Sequence, residues 1–177
     1  MLFRSSGYST TVTAAAARKN AEEGPAPEFI TVDPFPRDYL KGLPGLSEAV
    51  PAEVQKLPPQ FFSRLRRRDI LFIDSSHIVR CHSDVIYLLL KVLPSLAPGT
   101  IVHLHDIYLP YEYPKKWMLN GYYYNESYFL HAFLAFNTAF ETILASHFLD
   151  NEEGKQMRAL FGDDLSGPTS YWIEKSA

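Results

Sequence analysis

One cysteine, Cys81, is all that the 177 residues hold, so no intrachain disulfide framework and no cysteine-rich zinc site is available. That scarcity fits a reducing compartment, and a cytoplasmic location is expected. Long apolar runs are missing too: none reaches the roughly 20 residues that a membrane-spanning helix needs, and no membrane association is expected. An excess of basic charge is also absent. The net charge is −3, so bulk electrostatic binding of nucleic acid is not expected. Arg64 with Arg66, Arg67 and Arg68 forms the one basic cluster, which reads as a solvated helix end ahead of a strand. Acids are lacking from the first 21 positions, where Arg4, Arg18 and Lys19 stand among Ser, Thr and Ala. Organellar transit peptides share that composition, but the segment leads without a break into a strand, and a helix after a turn is preferred.

Hydrophobic residues make up 46% of the chain and charged residues 21%, which suits a single globular domain over residues 1–177. Leu2 and Phe3 read as the stub of a first strand. Ser9 or Thr10 can cap a helix running through Ala14 and Ala17 to about Asn20, and Gly24-Pro-Ala-Pro27 breaks it. The apolar run at 28–33 then ends in Asp33, and Pro34 and Pro36 force extended backbone after it. A short strand is expected near 49–55 and a helical turn at 61–65. Residues 69–74 form a nearly continuous apolar run, as expected of a central parallel strand covered on both faces. Ser83 can cap a helix through Val85, Leu88, Leu89, Val92 and Leu93, and residues 100–105 form the next strand. Residues 108–124 read as a long aromatic loop, of a length that suggests a lid or binding role. Asn125 or Ser127 opens a helix through Phe129, Phe133 and Phe136, which with Phe140 are expected in the core. Residues 140–149 and 169–174 read as strands joined by an acidic segment.

Strand–helix alternation closing on two strands predicts an α/β fold: a Rossmann-like, doubly wound, mostly parallel sheet with an antiparallel C-terminal strand and a truncated first strand. Ligands of such sheets lie beyond the carboxyl ends of the strands. Asp33, Asp74 and Asp106 all end strands, so all three fall on that edge. Turn, helix, strand and carboxylate follow one another up to Asp33, in the order of a nucleotide-binding unit. A carboxylate so placed can accept both ribose hydroxyls; read alone, it is more simply an acid that ends a strand, and the two later strands that also end in Asp shift the balance.

These segments together resemble the class I S-adenosylmethionine-dependent methyltransferases. The residues that carry the resemblance are Asp69-Ile-Leu-Phe-Ile-Asp-Ser-Ser-His77, Ser83-Asp84-Val85, Val102-His-Leu-His-Asp-Ile107, Tyr113-Pro114, Trp117, Asn125-Glu126, Phe133-Leu-Ala-Phe-Asn137 and Ser170-Tyr-Trp-Ile173. The resemblance implies S-adenosylmethionine as cofactor and a small-molecule methyl acceptor as partner. It matches Ser6, Gly7 and Ser9 with the end of the cofactor turn, Asp33 with the ribose-binding acid, and Asp74 with Ser75 near the methionine part of the cofactor. Three departures stand out. The acid and first glycine of the turn are missing from Phe3-Arg-Ser-Ser-Gly7. The N-terminal cap of the family is not found ahead of the first strand. Lys56 stands where an acid facing the adenine amino group is common.

His77, His105 and Asp106 project from strand ends beside the expected cofactor site and are the catalytic candidates, a histidine acting as base near neutral pH. The alternative is that these side chains tie down the strand tips. His103 shares a face with His105 by the period of two and is expected in the core. Asp74 and Asp106 match positions that hold magnesium in some catechol-type relatives, but the amide expected after Asp106 is Ile107, and no metal is expected. The alternative to an enzyme is a non-catalytic binding or scaffold module that keeps the fold.

Overall fold

The computed structural model describes residues 2–4 by their backbone alone, together with 7–162 and 167–176. Among these, one sheet holds seven strands in the order β3-β2-β1-β4-β5-β7-β6. They are β1 (Leu2–Arg4), β2 (Ile30–Val32), β3 (Glu48–Val50), β4 (Ile70–Ile73), β5 (Ile101–Leu104), β6 (Phe140–Ala145) and β7 (Tyr171–Lys175). The first five pair in parallel, and β7 runs antiparallel between β5 and β6. Strand order reverses between β1 and β4, which places the ligand crevice of a doubly wound sheet at their carboxyl ends.

Alternation along β4 assigns its residues to two layers. Leu71 and Ile73 enter the main core with Val85, Leu88, Leu89, Val102, Leu104 and Ile173. Phe72 points the other way and packs with Phe29, Ala14 and Ala17. Each fully buried Leu or Ile contributes about 1.5–3 kcal/mol. The alanines belong to α1 (Tyr8–Glu23), and their small side chains let that helix lie close on the sheet. Close approach also decides Gly45, whose φ is +93° and where a Cβ would fall 2.1 Å from the Ala14 carbonyl oxygen.

After β4 and the segment at 74–83, helix α2 (Asp84–Tyr87), a π-helical turn (Leu88–Val92) and α3 (Leu93–Ser95) run on from one another without a break. Ser83 caps this run as expected, its Oγ accepting the Ile86 N–H at 3.3 Å. The aromatic loop carries a short helix, α4 (Lys115–Leu119), and α5 (Glu126–Leu134) follows with Asn125 at its N-cap position.

Three expectations are corrected. Gly7, in extended conformation, occupies the N-cap of α1, so neither Ser9 nor Thr10 caps it. Residues after Ala145 leave the strand and form α6 (Ser146–Phe161), which takes up the acidic segment. Only Ser146 and Met157 of that helix are buried, while Phe148, Leu160 and Phe161 are exposed, so its apolar residues do not form a core-facing stripe. Phe136 is fully exposed with φ near +58°, because α5 ends at Leu134 and the helical spacing lapses. Phe129 and Phe133 do pack on the core, and Phe140 is buried on β6.

Candidate functional site

The tips of β4 and β5 are built from polar residues that leave the sheet together. Beyond Ile73 come Asp74, Ser75, Ser76 and His77; beyond Leu104 come His105 and Asp106. His77 and Asp106 both take a left-handed φ near +57°. For non-glycine residues this costs roughly 1–3 kcal/mol each, a strain that clusters where side chains are aimed for function. Backbone bonds hold the bend: Asn125 N–H donates to the His77 carbonyl at 3.0 Å, and Ile107 N–H donates to that of Thr169 at 3.0 Å.

His77 lies at the centre. Its Nδ1 is 2.8 Å from Glu126 Oε2, while Nε2 is 3.5 Å from Asp74 Oδ1 and 3.8 Å from Asp106 Oδ2. The Ser75 hydroxyl donates to the same Glu126 oxygen at 2.6 Å and accepts the His77 N–H at 2.9 Å. Burial works against charge on this ring. The bonds to Asp74 and Glu126 and the fields of Glu126 and Asp106 overcome it, and the pKa is raised to about 9. His77 is therefore an imidazolium at neutral pH. Tyr124 covers it, ring centroids 4.7 Å apart.

His105 differs in access. Its side chain is 39% exposed, and Nδ1 lies 3.2 Å from Asp106 Oδ1. That carboxylate raises its pKa, with burial opposing. Asp106 also receives the Thr169 hydroxyl at 3.0 Å. Burial opposes the Asp106 charge, but His105, Thr169 and His77 hold the carboxyl below its ordinary range. His103 is buried, as expected, stacked on Trp172 at 4.3 Å and edge-on to Phe72. Burial lowers its pKa to about 4, so it is neutral, and its Nε2 has no hydrogen-bond partner.

The aromatic loop divides into two parts. Tyr108 and Tyr113 are buried and pack it onto the sheet, with the Tyr113 hydroxyl accepting the Ser127 N–H at 3.0 Å. Trp117 and Tyr124 rest on Tyr113, whereas Tyr122 and Tyr123 are exposed to solvent. One part anchors the loop and the other presents rings at its surface.

The cofactor candidates are spread along the neighbouring strand ends. Ser6 lies outside the described residues. Gly7 and Tyr8 line a cleft of about 330 Å³ with Thr11, Arg37 and Tyr39, and the Tyr39 hydroxyl donates to the Gly7 carbonyl at 3.1 Å. Ser9 sits in the first turn of α1 beside it. Asp33 is half-buried at the end of β2, two strands from β4 and its His77 and three from β5 and its His105, and its Oδ1 accepts the Phe35 N–H at 2.7 Å. Pro34 next to it lines a second cleft, of about 210 Å³, with Glu53, Gln55, Ser76 and Asp84 among its walls. Glu53, three residues before Lys56, is an acid on this cleft, and Lys56 Nζ is 2.6 Å from its Oε1. The first cleft carries Arg37 and, among the described residues, no carboxylate, whereas Glu53 and Asp84 edge the second. Among the described residues, no group of three or more His, Cys, Asp or Glu side chains is placed to hold a metal ion. No helix among them is long and apolar enough to cross a membrane.

The structure thus gathers Asp74, Ser75, His77, His105 and Asp106 into one cluster and leaves Asp33, Gly7 and Ser9 on the adjoining stretch of the edge. Glu126 joins the cluster without having been singled out as a site residue. The available signal was an acid just after an Asn cap, following three consecutive tyrosines, Tyr122 to Tyr124, that lead out of the loop. A family model described as "Methyltransferase domain" matches residues 4–107, which spans more than half of the chain. No curated protein and no solved structure matches it.

Proposed function

The chain belongs to the methyltransferase-domain family, and from that premise we propose that it methylates a small-molecule acceptor with S-adenosylmethionine as donor. The observation that carries this reading is the half-exposed His105, paired with Asp106 at the tip of β5 and one strand from the reversal between β1 and β4. When bound, the donor supplies an electrophilic methyl group on a cationic sulfur. The chain's own residues do the rest. Asp33 accepts the ribose hydroxyls, and Gly7, Ser9, Asp74 and Ser75 edge the remainder of the cofactor. His105 takes the proton from the acceptor, and the Asp106 carboxylate, 3.2 Å from its Nδ1, stabilises the imidazolium that forms. His77, charged and covered by Tyr124, steadies the two strand-tip carboxylates and leaves proton transfer to His105. Holding the acceptor in line with the methyl group supplies much of the remaining rate.

A second reading, a binding module without catalysis, draws on Asp33 Oδ1 being already occupied by the Phe35 N–H and on the altered turn ahead of Gly7. Calorimetric titration separates the two. Saturable binding of S-adenosylmethionine or its demethylated product is expected, and no heat at millimolar ligand would leave the module. Asp33→Ala is expected to weaken that binding by roughly 2–4 kcal/mol by removing two charge-assisted hydrogen bonds. Asp33→Asn should lose less, since one acceptor remains. Unchanged affinity in a folded Asp33→Ala protein would remove Asp33 from the ribose site.

A further inference from the structure

Glu126 has no part in the proton transfer just described, yet it is the most deeply buried ionisable side chain among the described residues, 1% exposed. One of its oxygens, Oε2, takes both His77 Nδ1 and the Ser75 hydroxyl; the other, Oε1, has no hydrogen-bond partner. A glutamine has the same shape and can still accept from Ser75. What glutamate adds at this place is charge, and a buried charge is costly unless a partner of opposite sign makes use of it.

We propose that Glu126 is the positioning residue of the site: it grips His77 through Nδ1 and so directs Nε2 into the space between Asp74 and Asp106. The geometry follows from the two nitrogens of one ring. With Nδ1 committed to α5, Nε2 is left 3.5 Å from the Asp74 carboxylate and 3.8 Å from that of Asp106. Carboxylates on neighbouring strand tips repel each other, and a protonated ring between them offsets that repulsion. Asp106 then stays ionised and keeps hold of His105. The groups facing the ring are Asp74 from the end of β4, His105 and Asp106 from β5, Glu126 from α5 and Tyr124 from the aromatic loop. Three carboxylates against one further imidazole favour its charged form, in line with its pKa near 9. The arrangement parallels the carboxylate that fixes the tautomer and orientation of a functional histidine from behind. The proposal rests on the methyl-transfer reading, because its consequence for rate passes through Asp106 to His105.

The test is E126Q, read in two ways. Imidazole titration by NMR, with the His77 signal identified by its loss in H77Q, should show the midpoint of His77 falling by about one unit or more. The alkaline limb of kcat should move down by the same amount, while KM for S-adenosylmethionine stays within about threefold, since no cofactor contact is lost. An unmoved His77 midpoint in folded E126Q would overturn the grip of Glu126 on the ring. A moved midpoint with an unmoved alkaline limb would overturn its role in positioning for the reaction. If the unsubstituted protein turns over no acceptor, the methyl-transfer reading falls instead, and the ring titration still decides the grip. Should E126Q not fold, E126D takes its place: it keeps the charge, shortens the arm, and must also lower the His77 midpoint.

Discussion

His105→Ala is expected to lower turnover at neutral pH by about 10²–10⁴-fold with little change in cofactor affinity, the range set by loss of a positioned general base. His105 is the histidine of the cluster that solvent reaches, and Asp106 lies 3.2 Å from its Nδ1. The measurement is release of the demethylated cofactor with an acceptor that the unsubstituted protein accepts. The pH profile adds a sign. Asp106 raises the pKa of His105, so the base form accumulates only as pH climbs above the ordinary imidazole value near ~6.5. Asp106→Asn keeps the shape, removes the charge, and should shift the acid limb of kcat to lower pH while lowering its plateau. A fall of less than about threefold in His105→Ala would show that no base acts there.

Stability should decline as pH rises from about 6.5 to 9 and beyond, by an amount on the order of 2–4 kcal/mol traceable to His77. Below an unfolded-state pKa of ~6.5 both folded and unfolded chains carry the proton, and the contribution is fully present. Between that value and about 9 the folded chain keeps a proton that the unfolded chain has released, so unfolding releases protons and folding weakens with pH. Past the folded pKa the contribution is gone. Because the side chain is only 6% exposed, water screens the effect little. Urea unfolding at pH 6 and pH 9.5 measures it, with His77→Gln as the reference in which this share of the slope vanishes. Equal slopes in the two proteins would mean that the ring is not held as a cation. At fixed pH 7, His77→Ala leaves Glu126 without its charged partner and should cost about 3–5 kcal/mol, as for other broken buried pairs.

Much of the scaffold was legible in the chain. The unbroken apolar run at 69–74 belongs to a strand covered on both faces, and β4 lies at the middle of the sheet with Leu71, Phe72 and Ile73 buried. Ser83 capped the helix that follows, and the two closing strands lie at the β5 side of the sheet, β7 antiparallel to its neighbours. Local signals sufficed there because caps, alternation and apolar runs act within a few residues. Helix α6 escaped them, since acids and exposed apolar residues interrupt its core-facing side, and so did the end of α5, where the spacing of Phe136 continued after the helix had stopped.

By itself the sequence determined which acids and histidines stand at strand ends, and the twofold and helical periods determined that these ends share an edge. Only the tertiary structure decided what each of them is. Glu126 reaches His77 across 49 positions of chain, and that contact, with Asp74 and Asp106 on the other nitrogen, turns an ordinary imidazole into a buried cation. His105, two residues from the buried and neutral His103 on the same strand face, is left half in solvent with a carboxylate beside it. Protonation state and access depend on distances to groups brought in from other elements and on the water they exclude, and neither is a property of a residue's neighbours in sequence.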